Sequence, residues 1–182
     1  MSASFLLVRH AQSVWNADGR WQGQADPPLS QLGREQAREL ARKLSGEVRP
    51  DRLLCSDLQR ARHTAEVLGR ALDLVPEPME VLRELDVGKW SGLTRAEIEA
   101  GDPETLARFE AGEETVRAGG GESRAEIRAR VIEAFQELAR QCAGREVVVV
   151  THLGVVRALV PGAELGHTET VRVVRDDFRE LE

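Results

Sequence analysis

Glu146-Val147-Val148-Val149-Val150-Thr151-His152-Leu153-Gly154-Val155-Val156-Arg157-Ala158-Leu159-Val160 is the stretch that decides the fold class. Val147 to Val150 is an unbroken apolar run, and residues 146–151 form the strongest strand in the sequence. His152-Leu153-Gly154 turns the chain. Val155 to Val160 then reads as a helix stopped by Pro161.

The same order recurs upstream. Ser4-Phe5-Leu6-Leu7-Val8 is a short buried strand ending in charge at Arg9 and His10. A polar stretch from Ala11 to Leu29 follows, and loops of that length inside a compact domain are usually functional. Ser30 caps a helix whose stripe of Ala37, Leu40, Ala41 and Leu44 stops at Gly46. Arg52-Leu53-Leu54-Cys55 is a second strand, and Leu58, Ala61, Ala65 and Leu68 mark a second helix. Leu72 to Val75 reads as a third strand, stopped by Pro76 and Pro78. Between Glu84 and Gly121 there is one short helix, near Thr94 to Ala100, among acidic loops. Ser123 and Glu126 form a capping box before a long amphipathic helix through Ile127, Val131, Ile132, Phe135 and Leu138, ended by Gly144. Thr170 to Val174 alternates as a last, edge strand. The alternation of strand and helix predicts a three-layer α/β/α sandwich on a mostly parallel sheet, as one domain over 1–182 with a small cap around 92–121.

Composition narrows the function classes. The chain has 182 residues, 41% hydrophobic and 31% charged, which excludes wholesale disorder. Its formal charge of −6 argues against a general nucleic-acid binder, which needs a basic face. Cys55 and Cys142 are too few for a disulfide framework or a thiolate metal site. No stretch approaches a membrane span, and the N-terminus lacks signal-peptide character. The expectation is a cytoplasmic protein. The apolar edge near Val171 to Val174 offers a homodimer contact.

In open α/β sheets, ligands sit at the carboxyl ends of the strands. Arg9 and His10 end the first strand. Ser56 and Asp57 end the second, with Arg60 one turn into its helix, and Thr151 and His152 end the strongest one. Two arginines and two histidines are therefore delivered to one edge. Arginine forks match phosphate oxygens, and neutral histidine is a nucleophile or a metal ligand. Arginines repel a cation, so a phosphate site without metal fits better. His63 and His167 read as structural or surface residues, and Gly119-Gly120-Gly121 reads as a hinge or loop.

Five ordered blocks resemble the histidine phosphatase superfamily, which includes phosphoglycerate mutases and small phosphatases. They are Leu7-Val8-Arg9-His10 with the following Asn16, Gln22-Gly23 and Leu29-Ser30; Ser56-Asp57-Leu58-Gln59-Arg60; Leu82-Arg83-Glu84-Leu85 through Gly92; Gly121-Glu122-Ser123; and Thr151-His152-Leu153-Gly154. The resemblance implies a metal-independent phosphatase without cofactor, acting on a small-molecule phosphate ester through a phosphohistidine. His10 would be the nucleophile, and Arg9, Arg60 and His152 the phosphate clamp. Glu84 would be the acid and base, with Asp86 the nearby alternative. Asn16, Gln22, Gly23 and Leu153 would contact substrate, and the first N–H groups after His152 would add a phosphate contact.

Ala11 and Leu153 depart from the family's glycines. They support a catalytically silent phosphate-binding module as one alternative; a cofactor-dependent mutase is another. The short segment from Gly92 to Gly119 carries Glu97, Glu99, Asp102, Glu104, Glu110, Glu113 and Glu114, an acidic balance expected to repel a bisphosphate and so to favour hydrolysis.

Overall fold

A computed structural model describes residues 2–175 and Phe178. In chain order, β1 (Ala3–Arg9) leads to the single turn α1 (Val14–Ala17) and to α2 (Gln31–Glu47). Next come β2 (Arg52–Ser56), α3 (Gln59–Leu72) and β3 (Glu77–Met79). The cap holds α4 (Arg95–Gly101) and α5 (Pro103–Glu110). The chain then runs through α6 (Arg124–Gln141), β4 (Glu146–Thr151), α7 (Leu153–Leu159) and β5 (Thr170–Arg175).

The sheet order is β3-β2-β4-β1-β5. The first four strands are mutually parallel, and β5 runs antiparallel to β1 at the edge. Residues alternate between two cores, because successive side chains leave a strand on opposite faces. Phe5, Leu7, Val147 and Val149 pack with Val131 and Phe135 of α6 and Val155 and Val156 of α7. Leu6, Val8, Val148 and Val150 pack with Leu40 and Leu44 of α2 and Ala61, Ala65 and Leu68 of α3. Both faces are covered, which is why the central strands carry continuous apolar runs. The α/β/α layering is the one expected from the sequence. Among the described residues no helix is long and apolar enough to cross a membrane.

The cap is welded to the first of these cores. Ile98, Leu106, Phe109 and Val116 are buried with Trp90 and Ile127. The rings of Trp21, Trp90 and Phe109 meet edge to face, with centroids 5.4–5.9 Å apart.

Three local expectations are corrected. Leu72 to Val75 is not a strand: Leu72 ends α3, Asp73 takes a left-handed conformation (φ 55°), and Val75 is exposed. The strand lies at Glu77–Met79 instead. It pairs with β2 only, and an edge position tolerates Pro78, which has no N–H to give. A second helix, α5, stands where acidic loops were expected, with Pro103 in its first turn, the place in a helix where proline is tolerated. Gly119 and Gly121 form no hinge. A Cβ on either would lie 2.3 Å from the carbonyl oxygen of Val87 or Asp86, so the run is a close crossing of two backbones.

Helix α2 fixes the loop after β1. The Ser30 hydroxyl donates to Gln12 Oε1 (2.8 Å), the Ser30 N–H to the Gln12 carbonyl (3.0 Å), and the Gln12 N–H to Gln36 Oε1 (3.0 Å). A Cβ at Gly33 would stand 2.0 Å from that same Gln12 carbonyl oxygen. Gly33→Ala is therefore expected to push the loop off the helix and cost about 1–3 kcal/mol, read as a lower urea midpoint at unchanged m-value.

Candidate active site

The parallel register of β1 and β4 sets Arg9 against Thr151. The next residue on each strand is a histidine, and the two rings come to rest 5.0 Å apart between centroids. The His10 N–H donates to the Thr151 carbonyl (2.9 Å), locking this pairing one residue past the ladder.

His10 is buried, and its tautomer is fixed twice. Nδ1 lies 2.7 Å from the Ala11 carbonyl oxygen, which only accepts, so Nδ1 carries the proton. Nε2 lies 3.3 Å from Nε of Arg60, which only donates, so Nε2 holds a lone pair. The Ala11 side chain points away, into a cluster with Leu29 and Ala37. Ala11 therefore meets His10 through its carbonyl and not through its methyl.

Arg60 is fully buried on the first turn of α3. Its Nη1 and Nη2 donate to the carbonyls of Ala25 and Gly23, each at 2.7 Å. Gly23 therefore holds Arg60. Arg9 donates from Nη1 to the Leu165 carbonyl (2.6 Å), and its buried Nε has no partner. His152 is fully buried with neither ring nitrogen partnered. Burial draws both guanidiniums below the ordinary arginine value, Arg60 to about 10, against the opposing charge of Glu84; both stay cationic at neutral pH. Burial, and next the Arg60 charge, holds His10 and His152 well below the ordinary histidine range.

Glu84 enters from the opposite wall. Its Oε1 accepts the N–H of Leu85 (2.8 Å) and that of Gly154 at the start of α7 (3.1 Å). The α7 amide expected to touch phosphate thus holds the carboxylate. A Cβ at Gly154 would lie 2.1 Å from Glu84 Oε1. The strand ends fasten this segment too. Thr151 Oγ1 donates to the Leu82 carbonyl (2.9 Å), and Asp57 pairs with Arg83 (2.5 Å). Arg130, paired with Glu122 (2.7 Å), donates to the carbonyls of Val81, Arg83 and Glu84. Asp86 turns away to accept the Gly88 N–H (2.9 Å).

These groups open on a cavity of about 710 Å³ whose wall includes Arg9, His10, Asn16, Gln22, Gly23, Arg60, Glu84 and Leu153. Asn16 turns its Oδ1 to the Ser13 N–H (3.1 Å), and Gln22 Oε1 accepts the Ser13 hydroxyl (2.6 Å). His152 stands behind His10. All nine residues expected from the sequence are therefore brought together.

A family model for the histidine phosphatase superfamily (branch 1) matches residues 5–174. The chain belongs to that superfamily. It is 38% identical over 157 residues to a metal-independent phosphoserine phosphatase of Arabidopsis thaliana, spanning 85% of this chain and 66% of that one. It is 40% identical over 162 residues to glucosyl-3-phosphoglycerate phosphatase of Mycobacterium tuberculosis, spanning 85% and 72%. The native structure of the mycobacterial glucosyl-3-phosphoglycerate phosphatase superposes with a TM-score of 0.86 at 32% identity, over 98% of this chain and 94% of that one. With these relatives, this histidine phosphatase is a hydrolase of phosphate monoesters.

The sequence reading misplaced His167. It stands half-buried on a turn, but beside the site: its Nε2 lies 3.4 Å from Arg9 Nη2, and its ring centroid lies 5.9 Å from that of His10. No spacing signals this, because the loop is tied to Arg9 by backbone bonds across 159 residues or more (Thr168 N–H to Arg9 carbonyl, 3.0 Å; Arg9 N–H to Glu169 carbonyl, 3.1 Å). The electrostatic argument about the cap is also corrected. Glu97, Glu99, Glu110 and Glu113 pair with Arg20, Arg95 and Arg108. The cavity wall carries Arg9, Arg20, Arg60, Arg124, Arg128 and Arg157 against Glu84, Glu114 and Glu164, so it is cationic. The preference for hydrolysis rests on the relatives.

Burial and the Arg9 charge push His167 down to about 4. All three site histidines thus resist protonation when folded, whereas unfolded histidine takes a proton below about pH 6.5. Their share of stability is full above that pH and is lost as pH falls towards 4. The urea midpoint is expected to drop steadily between pH 7 and pH 4.5, and His167→Gln is expected to flatten part of that slope.

Proposed function

We propose that this phosphatase moves the phosphoryl group of a small-molecule ester onto Nε2 of His10 and then onto water. One observation carries the reading: a lone pair with a doubly fixed tautomer faces Arg60, with the buried, unpartnered Arg9 Nε and His152 ring beside it. Unsatisfied buried donors are costly, and oxygens of a transferring phosphoryl group would answer Arg9 Nε and the protonated ring nitrogen of His152. Phosphoryl transfer demands alignment and charge stabilisation above all, which this clamp supplies.

In the first step the His10 N–P bond forms as the P–O bond to the alcohol breaks. Glu84 gives its proton to the leaving oxygen. In the second step Glu84 takes a proton from water, whose oxygen attacks phosphorus. The N–P bond breaks, and inorganic phosphate leaves. The carboxylate is anchored by two backbone N–H groups, so it returns to one position between steps. Asn16, Gln22 and Leu153 stand on the cavity wall where the ester's other oxygens and its alcohol pass. Gly23 acts through its carbonyl by aiming Arg60.

Hydrolysis of p-nitrophenyl phosphate with excess EDTA tests the route. Turnover is expected to survive EDTA, and acid quench is not expected to preserve the phosphoenzyme, whereas alkali is. His10→Ala is expected to lower kcat roughly a thousandfold or more with the fold retained. Retained turnover in that variant, or tight phosphate binding without turnover in the wild type, sinks the proposal. Gly154→Ala is expected to displace Glu84 and lower kcat roughly 10–100-fold with KM and stability near wild type.

A further inference from the structure

Arg9 ends a strand of the sheet, but its side chain is aimed from elsewhere. The connection between α7 and β5 folds back over it. Arg9 Nη1 donates to the Leu165 carbonyl (2.6 Å), and Nη2 lies 3.4 Å from Nε2 of His167. The buried Nε has no partner among the described residues. A guanidinium is a rigid plane, so holding two of its nitrogens leaves the third one direction. The turn that carries His167 is itself tightly held. The Gly166 N–H donates to Glu169 Oε2 (2.7 Å), Thr168 Oγ1 donates to the His167 carbonyl (2.6 Å), and the Thr168 N–H donates to the Arg9 carbonyl (3.0 Å). Thr168 stands at φ 61°, a left-handed conformation that a β-branched residue rarely adopts. Such strain persists only where the surroundings over-determine it, and it clusters at functional sites.

We propose that His167 is a positioning residue of the phosphoryl clamp: its Nε2 accepts from Arg9 Nη2 and, with the Leu165 carbonyl, holds the guanidinium so that Nε is presented to the phosphoryl oxygens. The proposal rests on the phosphatase reading of Arg9 and names what aims that side chain. Arginine only donates, so Nε2 of His167 holds the lone pair and Nδ1 the proton. Burial and the Arg9 charge keep the ring neutral at neutral pH, which an acceptor facing a guanidinium requires. The ring also stands 5.9 Å from that of His10, so a shift of Arg9 here is felt at the nucleophile. A side chain that merely filled this space would be replaceable by an apolar one of similar size.

His167→Leu keeps the bulk and removes the acceptor, whereas His167→Gln keeps an acceptor at nearly the same reach. Dissociation constants for inorganic phosphate are measured for the wild type and both variants. His167→Leu is expected to weaken phosphate binding roughly tenfold, and His167→Gln is expected to recover most of that loss. A double-mutant cycle on kcat/KM for p-nitrophenyl phosphate then pairs His167→Leu with Arg9→Ala. The loss caused by His167→Leu is expected to be roughly tenfold with Arg9 in place and within about twofold without it, because the residue acts through Arg9. An equal loss in both backgrounds overturns the proposal and leaves the phosphatase reading standing. So does a His167→Leu protein within twofold of wild type, or a His167→Gln protein no better than His167→Leu. A wild type without p-nitrophenyl phosphate turnover overturns the phosphatase reading, while phosphate binding by the three proteins still decides the role of His167.

Discussion

The pairing of β1 with β4 is the constraint on which the rest depends. A parallel ladder in fixed register places Arg9 beside Thr151, and the following residue on each strand becomes a site histidine. A slip by one residue would turn every valine of β4 onto the opposite face and separate the two rings. The register is held by burial on both sides, since Leu7 and Val149 belong to one core and Val8 and Val150 to the other. Packing far from the chemistry thus sets its geometry.

What the strands deliver is unfavourable in isolation. His10, Arg60 and His152 are buried, and both ring nitrogens of His152 and Nε of Arg9 have no partner among the described residues. The surrounding structure offsets this with redundancy. Backbone carbonyls of Gly23, Ala25 and Leu165 hold the two arginines. The acid is held with the same redundancy, by Arg130, Thr151 and Asp57 acting on the segment from Val81 to Glu84. Preorganisation of this kind is what transition-state stabilisation requires, because nothing has to reorganise when charge develops.

Most of this was legible in the sequence, for a physical reason. Strand ends announce themselves as apolar runs meeting charge, and in a parallel sheet those ends converge. That logic alone places Arg9, His10, Arg60 and His152 at one edge of the sheet. Glu84 was legible only through its resemblance block, since nothing in composition separates it from Asp86. His167 was illegible, because its approach to Arg9 depends on backbone bonds between distant segments. The role of the cap acids was misread for a related reason: sequence counts charges but does not say which are already paired.

The bond from His10 Nδ1 to the Ala11 carbonyl has an evolutionary corollary. The acceptor belongs to the main chain, so no codon change at position 11 can delete it while the backbone keeps its course. The Ala11 side chain faces Leu29 and Ala37, so what drifts there is a matter of fitting a small apolar niche. The nucleophile's tautomer is in this way insulated from mutation at the residue that sets it, and a lineage can exchange the residue after the histidine without relearning its chemistry.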